Sequence, residues 1–217
     1  MILKPLFITF EGGDGAGKSL QILRFKEYLE TLGHNVVLTR EPGSTEVGKE
    51  IRKILVEGDK DKIDETTELL LFYADRRINL TKVVLPALSE GKTVISDRYN
   101  DSTIAYQYYG SNKFNDTSLM DNLYQIVAEG KKPDITFLLD VDVKIGLERS
   151  FNKAKTEQTK ELRFENVDIS FHERLRNGYL EIAKKDPQRF CIIDANKTID
   201  EVSLEIIEKF NQKIKEL

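Results

Sequence analysis

Residues 7–21 read FITFEGGDGAGKSLQ, and this stretch decides the fold. Strand-forming residues run directly into four glycines, one acid and a Gly-Lys-Ser triplet. Gly12 to Ser19 fits G-x-x-x-x-G-K-[ST], after a strand and before a helix, which is the context a phosphate-binding P-loop requires. Glycines let the backbone wrap a phosphate with its N–H groups turned inward, where a β-carbon would clash. The helix that opens at Gly17–Lys18 adds its positive end. Lys18 supplies a movable charge for the outer phosphates, and Ser19 a hydroxyl for Mg²⁺. The loop from Gly12 through Gly13, Asp14, Gly15, Ala16 and Gly17 to Lys18 and Ser19 is therefore expected to bind a nucleoside triphosphate.

Outward from this loop, short apolar runs alternate with longer amphipathic ones. LFITF (6–10), VVLT (36–39), TVIS (93–96), ITFLL (135–139) and FCIID (190–194) are rich in β-branched or aromatic residues, as strands buried on both faces are. Helical patterns fall at about 17–32, 45–56, 65–90, 116–129, 142–151, 168–184 and 198–215. The alternation predicts an α/β protein of P-loop NTPase fold, a five-stranded parallel sheet flanked by helices on both faces. Pro86 should kink the 65–90 helix or restart it. No repeat or linker divides the chain, so residues 1–217 are read as one domain. The stretch NKAKTEQTKEL (152–162) is polar and without periodicity, and reads as a solvated loop or, more sharply, as a mobile flap over an active site.

Composition narrows the partners. Lys plus Arg is 33 against 37 for Asp plus Glu, a net charge of −4, which disfavours general nucleic-acid binding. No apolar run approaches the roughly 20 residues that span a bilayer, and the N-terminal residues, with Lys4 and Pro5, do not resemble a signal peptide. Cys191, the one cysteine, sits inside FCIID and is expected to be a buried strand thiol. Without an internal disulfide, a reducing cytoplasm fits. His34 and His172 stand in no ligand-spaced motif and read as structural or exposed.

Two further stretches favour a small kinase. A switch GTPase would read guanine with N-K-x-D, and NKTID (196–200) places its Asp one residue too late. In VISDRYNDSTIAYQ (94–107), Asp97 ends an apolar strand, where its carboxylate can reach Mg²⁺ or its water near Ser19. Arg98 follows at once and can grip an acceptor phosphate with two parallel hydrogen bonds. In LLLFYADRR (69–77), Phe72 and Arg76 lie four apart and share a helix face, so a ring and a guanidinium can meet a planar base together. Taken alone, Phe72 reads as a core residue first, because Leu69, Leu70 and Leu71 give it apolar neighbours.

FITFEGGDGAGKS, TREPGSTEVGKEIR, LLFYADRR, SDRYNDSTIAYQ, PDITFLLDV and RFENVDISFHERLRNGYLEIA occur in an order and spacing that resemble the thymidylate kinases over essentially the whole chain. The resemblance implies transfer of the γ-phosphoryl of ATP to dTMP, with Mg²⁺ held on the side of Ser19 and Asp97. It implies that Asp14 lies near the dTMP sugar or phosphate, that Glu41 and Arg52 lie on the monophosphate side, and that Arg98 holds the dTMP phosphate. Phe72 would stack on thymine, Arg76 would bond its O4 edge, Thr103 and Gln107 would contact the base, and Tyr106 would pack under the deoxyribose and disfavour a 2′-hydroxyl. The resemblance further implies a cis bond before Pro42, a flexible lid over ATP at about 150–165, and a homodimer built from helices.

This chain departs from the family at the cation that stabilises the transition state. Some members carry Arg after the P-loop acid, where this chain has Gly15; others place arginines in the lid. Here the lid SFNKAKTEQTKELRFE (150–165) is poor in arginine, leaving Arg149 and Arg163 with Lys153, Lys155 and Lys160 between them. Arg163 is expected to fill the role, with Arg149 on the ATP side. Two other readings stay open: a P-loop kinase for another nucleoside monophosphate or a deoxynucleoside, and a non-catalytic nucleotide-sensing P-loop protein. Arg98 together with Arg52 argues for an acceptor that already bears phosphate, whereas the arginine-poor lid favours the sensor.

Overall fold

The computed structural model describes residues 4–57, 62–157 and 168–216. Its centre is β1 (Phe7–Glu11), a strand with every residue buried. After the glycine loop come α1 (Lys18–Thr31), β2 (Val36–Arg40) and α2 (Glu46–Val56), then α3 (Glu65–Asn79), a π-helical turn at Leu80–Val84 and α4 (Leu85–Ser89). Next are β3 (Thr93–Asp97), α5 (Asn100–Thr103), a second π-helical segment at Ile104–Gly110, α6 (Ser118–Ala128) and β4 (Ile135–Asp140). The chain continues through α7 (Val143–Glu157), α8 (Ile169–Lys185), β5 (Phe190–Asp194) and α9 (Ile199–Lys213). The five strands pair in parallel in the order β2-β3-β1-β4-β5, so β1 pairs with both β3 and β4.

Alternation along β1 divides the core between the two faces of the sheet. Ile8 and Phe10 pack with Phe25, Phe137, Ile193 and Phe210 on the face covered by α1 and α9. Phe7 points the other way, into Leu69, Tyr73, Val94, Tyr99 and Met120. Glu11 shares the parity of Phe7 and Thr9, and so ends buried at the carboxyl edge of the sheet. Cys191 is buried in β5, and burial pushes its thiol up. His34 and His172 are both buried.

The helix starts are chemically unlike one another. α2, α3, α8 and α9 open on Thr45, Asp64, Asp168 and Thr198, each of which accepts a backbone N–H of the first turn through its side chain. α1 opens on Gly17, at φ 90°, with no side-chain cap and no acid in its first turn. Its positive end therefore faces the glycine loop without an internal anion.

The elements match the expected pattern closely, with two corrections. Residues 100–110 are helical, partly π-helical, where no helix is expected from the sequence. The 152–162 loop reading fails for its first part, because α7 runs to Glu157. Lys153, Ala154 and Lys155 are good helix formers, and Ala154 is buried; the remainder of that stretch lies outside the described residues. Near Pro86 the expected break takes the form of the π turn, which runs without interruption into α4 with the proline in that helix's first turn.

One contact fixes the glycine loop against its neighbour. A β-carbon at Gly15, at φ +73°, would lie 1.9 Å from the carbonyl oxygen of Gly146 in α7. In return, one at Gly146 would lie 2.9 Å from the Asp14 carbonyl oxygen. Two backbones touch here with no side chain between them.

Candidate active site

A cavity of about 1120 Å³ opens at the carboxyl edge of the sheet, where open α/β sheets bind ligands. Residues 14–19 of the glycine loop and α1 line it, as do Glu41, Arg52, Phe72 and Arg76 on one side and Arg149 and Lys153 of α7 on another. Gly12 and Gly13 are not in its wall. Their carbonyls instead accept from Lys18 Nζ at 2.9 and 3.0 Å. Burial and the neighbouring Arg98 cation push the Lys18 ammonium down to about 8. A phosphate at the loop would favour its charged form.

Arg98 is the hub. It follows the last residue of β3 and adopts φ 72°, a left-handed conformation that costs a non-glycine residue energy. Nη1 donates to the Gly12 carbonyl, Ser102 Oγ and Tyr179 Oη at 3.0–3.1 Å, and Nη2 donates to Asp14 Oδ1 at 2.7 Å and Tyr106 Oη at 2.9 Å. Tyr106 Oη also donates to Asp14 Oδ2, and the guanidinium lies 4.9 Å from the Tyr106 ring centre. Burial alone would raise the Asp14 carboxyl, but Arg98 and Lys18 outweigh it and hold the group below its ordinary range.

Beneath the hub sits a residue that sequence reasoning missed. Glu11 Oε1 accepts from the Tyr99 backbone N–H at 2.8 Å, and Oε2 accepts from Ser102 Oγ at 2.5 Å and Tyr179 Oη at 3.4 Å. Ser102 and Tyr179 are the same hydroxyls that receive Arg98, so Glu11 orders the ring of partners from below. Burial, with nearby Asp101, raises its carboxyl to about 8. The available signal was an acid ending the otherwise apolar run FITFE.

The opposite wall comes from α3 and the second π segment. Arg76 is 1 % exposed. Its Nε donates to Glu41 Oε2 at 2.8 Å, Nη1 to Asn100 Oδ1 at 3.2 Å, and Nη2 to the Tyr99 carbonyl and Thr103 Oγ1 at 3.1 and 2.9 Å. Glu41 precedes a cis peptide bond to Pro42 and also accepts from Asn79 Nδ2. Burial raises the Glu41 carboxyl in spite of Arg76. Arg52 donates to the Pro42 carbonyl at 3.1 Å, and Asp75 Oδ1 accepts from the Gly43 N–H at 3.1 Å. Phe72 satisfies both sequence readings: one side packs with the Ile51–Leu55–Val56 cluster while the residue also lines the cavity. Thr103, Tyr106 and Gln107 line the cavity with it.

The metal expectation can be tested on donor chemistry. Asp97 Oδ1 is buried and has no hydrogen-bond partner among the described residues, and Asp97 lines the same cavity as Ser19. A hard cation that binds through one carboxylate, a hydroxyl and phosphate oxygens fits this pair. Arg149 Nη1 donates to the Ala195 carbonyl at 2.9 Å beside the cavity. Arg163 lies outside the described residues.

A glycine loop closed onto an uncapped helix start, with a second arginine anchor across the same cavity, defines a P-loop phosphotransferase of the nucleotide kinase type. Known proteins agree. The sequence profile of the thymidylate kinase family matches residues 10–206. A thymidylate kinase of Maridesulfovibrio salexigens is 43% identical over 212 residues, 97% of each chain. One from Pelobacter propionicus is 42% identical over 207 residues, covering 95% of this chain and 94% of its own. The crystal structure of thymidylate kinase from Ehrlichia chaffeensis superposes with a TM-score of 0.77 at 39% identity, over 95% of this chain and 98% of that one. The chain belongs to the thymidylate kinase family.

Proposed function

We infer that the chain transfers the γ-phosphoryl of ATP to dTMP, giving dTDP and ADP. The observation that carries this reading is the pair of cationic stations facing one cavity, the glycine loop with Lys18 and the anchored Arg98, beside a wall that holds Phe72 and Arg76. Two polyanions held in line need little covalent help. The loop amides and Lys18 take the ATP phosphates, and Arg149 supports the ATP side. Arg98 takes the dTMP phosphate, with Arg52 and Asp14 beside it. Phe72 stacks on thymine, Arg76 bonds its O4 edge, Thr103 and Gln107 complete the base contacts, and Tyr106 packs under the sugar. No general base is needed, because the acceptor oxygen is already ionised. Ser19 and Asp97 hold Mg²⁺, which when bound neutralises charge on the phosphate oxygens.

The lid is assigned to the segment at about 150–165, of which the part up to Glu157 belongs to α7 and the rest lies outside the described residues. From there Arg163 supplies the transition-state cation, an assignment supported by sequence position. Arg163→Ala is expected to cut turnover about 10³-fold with little change in the dTMP KM. Near-normal turnover would pass the role to Arg149 or a lid lysine. The chain works as a homodimer in the cytoplasm. Exposed Val47, Leu70 and Ile126 on α2, α3 and α6 support the first statement, and a lone buried thiol the second. No helix among the described residues is long and apolar enough to cross a membrane.

The direct test is ATP- and Mg²⁺-dependent ADP release with dTMP, dUMP, UMP, dCMP, AMP, GMP and thymidine, each alone. The expected result is strongest turnover with dTMP and none with thymidine. ATP binding without turnover on any acceptor would overturn the reading in favour of a sensor.

A further inference from the structure

Gln107 lies in the second π-helical segment, lines the cavity and is 3 % exposed. Its side-chain amide has a donor end and an acceptor end of nearly the same shape, so packing alone would leave either turned to a ligand. Glu68, buried on α3, removes that choice. A carboxylate only accepts, so Gln107 must give it Nε2, and the two atoms lie 3.1 Å apart. Ser111 Oγ donates to the Gln107 backbone carbonyl and steadies the same turn. The cavity is then left with Gln107 Oε1, an acceptor.

Arg76 on the same wall offers the opposite character. Of the five N–H groups of a guanidinium, four go to Glu41, Asn100, the Tyr99 carbonyl and Thr103, leaving one Nη1 hydrogen for a ligand. The wall therefore presents one donor and one acceptor. The 3,4-edge of thymine or uracil is complementary, with an accepting O4 beside a donating N3–H. Cytosine carries the reverse, a donating amino group at C4 and an accepting N3. A ring stacked on Phe72 does not distinguish the two.

We propose that Glu68 is a positioning residue which, by fixing the amide of Gln107, makes the site select a keto pyrimidine edge and reject an amino pyrimidine edge. This rests on the dTMP reading of the site and adds to it the residue that sets base selection. Rejection is strong because a cytosine would leave buried polar groups unpaired on both partners.

The test is steady-state ADP release with dTMP and with dCMP. Glu68→Gln keeps the shape but lets the two amides turn over together. The expected result is a dTMP KM raised about tenfold with kcat within about twofold, and a dTMP-to-dCMP ratio of kcat/KM lowered about tenfold or more. In a Gln107→Leu background the same change should do nothing further, because Glu68 acts through that amide. An unchanged ratio, or an additive loss in that background, would overturn the inference. If thermal melting shows Glu68→Gln to be poorly folded, Gln107→Leu alone carries the test, and its ratio must fall by the same factor. Turnover of dTMP with an unchanged ratio sinks this inference alone. No dTMP turnover by the unaltered enzyme sinks the reading beneath it as well.

Discussion

Replacing Arg98 by alanine is expected to lower kcat/KM for dTMP by about 10³-fold or more, the scale on which a lost phosphate cation acts in phosphoryl transfer. Two effects combine. On the proposed reading, the acceptor phosphate loses its guanidinium partner. Asp14 also loses its guanidinium partner, so a carboxylate that faced a cation now faces the incoming phosphate. Lysine would not restore the function, since one ammonium cannot reach the five acceptors that the fork now serves. Arg98→Gly separates side chain from backbone. Glycine relieves a left-handed conformation that costs roughly 1–2 kcal/mol with a β-carbon, so this variant should melt higher than Arg98→Ala yet be as inactive. Steady-state kinetics and melting curves on both variants decide the matter. Turnover within about tenfold of the parent would remove Arg98 from the acceptor site.

The second large effect is expected at Gly15. Alanine there places its β-carbon 1.9 Å from the Gly146 carbonyl at a positive φ. The conformational term is about 1–2 kcal/mol, and α7 must withdraw from the loop to relieve the overlap. A total loss of about 3 kcal/mol or more is expected, a drop of roughly 6–12 °C in Tm for a chain of this size. Gly13→Ala is the control, because a β-carbon there meets nothing within 4 Å. Equal melting temperatures for the two variants would show that the loop and α7 are not in hard contact. The same overlap explains why an arginine cannot simply be added at this position: its own first carbon is excluded unless α7 sits further away.

Much of this architecture is legible in the amino-acid sequence because its cause is local. The five runs rich in β-branched and aromatic residues are the five strands to within about a residue, although only β1, β3 and β4 are buried along nearly their whole length and the edge strands β2 and β5 carry exposed positions. The glycine loop is legible because backbone wrapped round a phosphate tolerates few side chains. The 100–110 helix is not, since π-turns break the period that marks a helix, and of its three tyrosines Tyr106 lines the cavity while Tyr108 and Tyr109 pack against core clusters. Glu68 escapes for another reason: it acts on Gln107, far away in sequence, and one chain read in order gives no sign of that pair; Glu11 shows as an acid ending FITFE, but its partner Ser102 does not. Phe72 shows the limit of spacing. Helical period puts it on a face with Arg76, but only the packed structure shows that one ring can serve a core cluster and a cavity together.

The bare start of α1 has a consequence beyond affinity. In α2, α3, α8 and α9 a threonine or aspartate of the chain itself completes the first turn, so their stability is fixed at synthesis. α1 has no such group of its own, and on the proposed reading its first turn would be completed by a phosphate that arrives from solution and leaves after each turnover. Ligand that binds only the folded form stabilises it in proportion to the logarithm of its concentration. The durability of this protein is thus set partly by its surroundings: a chain in nucleotide-rich solution resists unfolding and proteolysis better than the same chain in a depleted one.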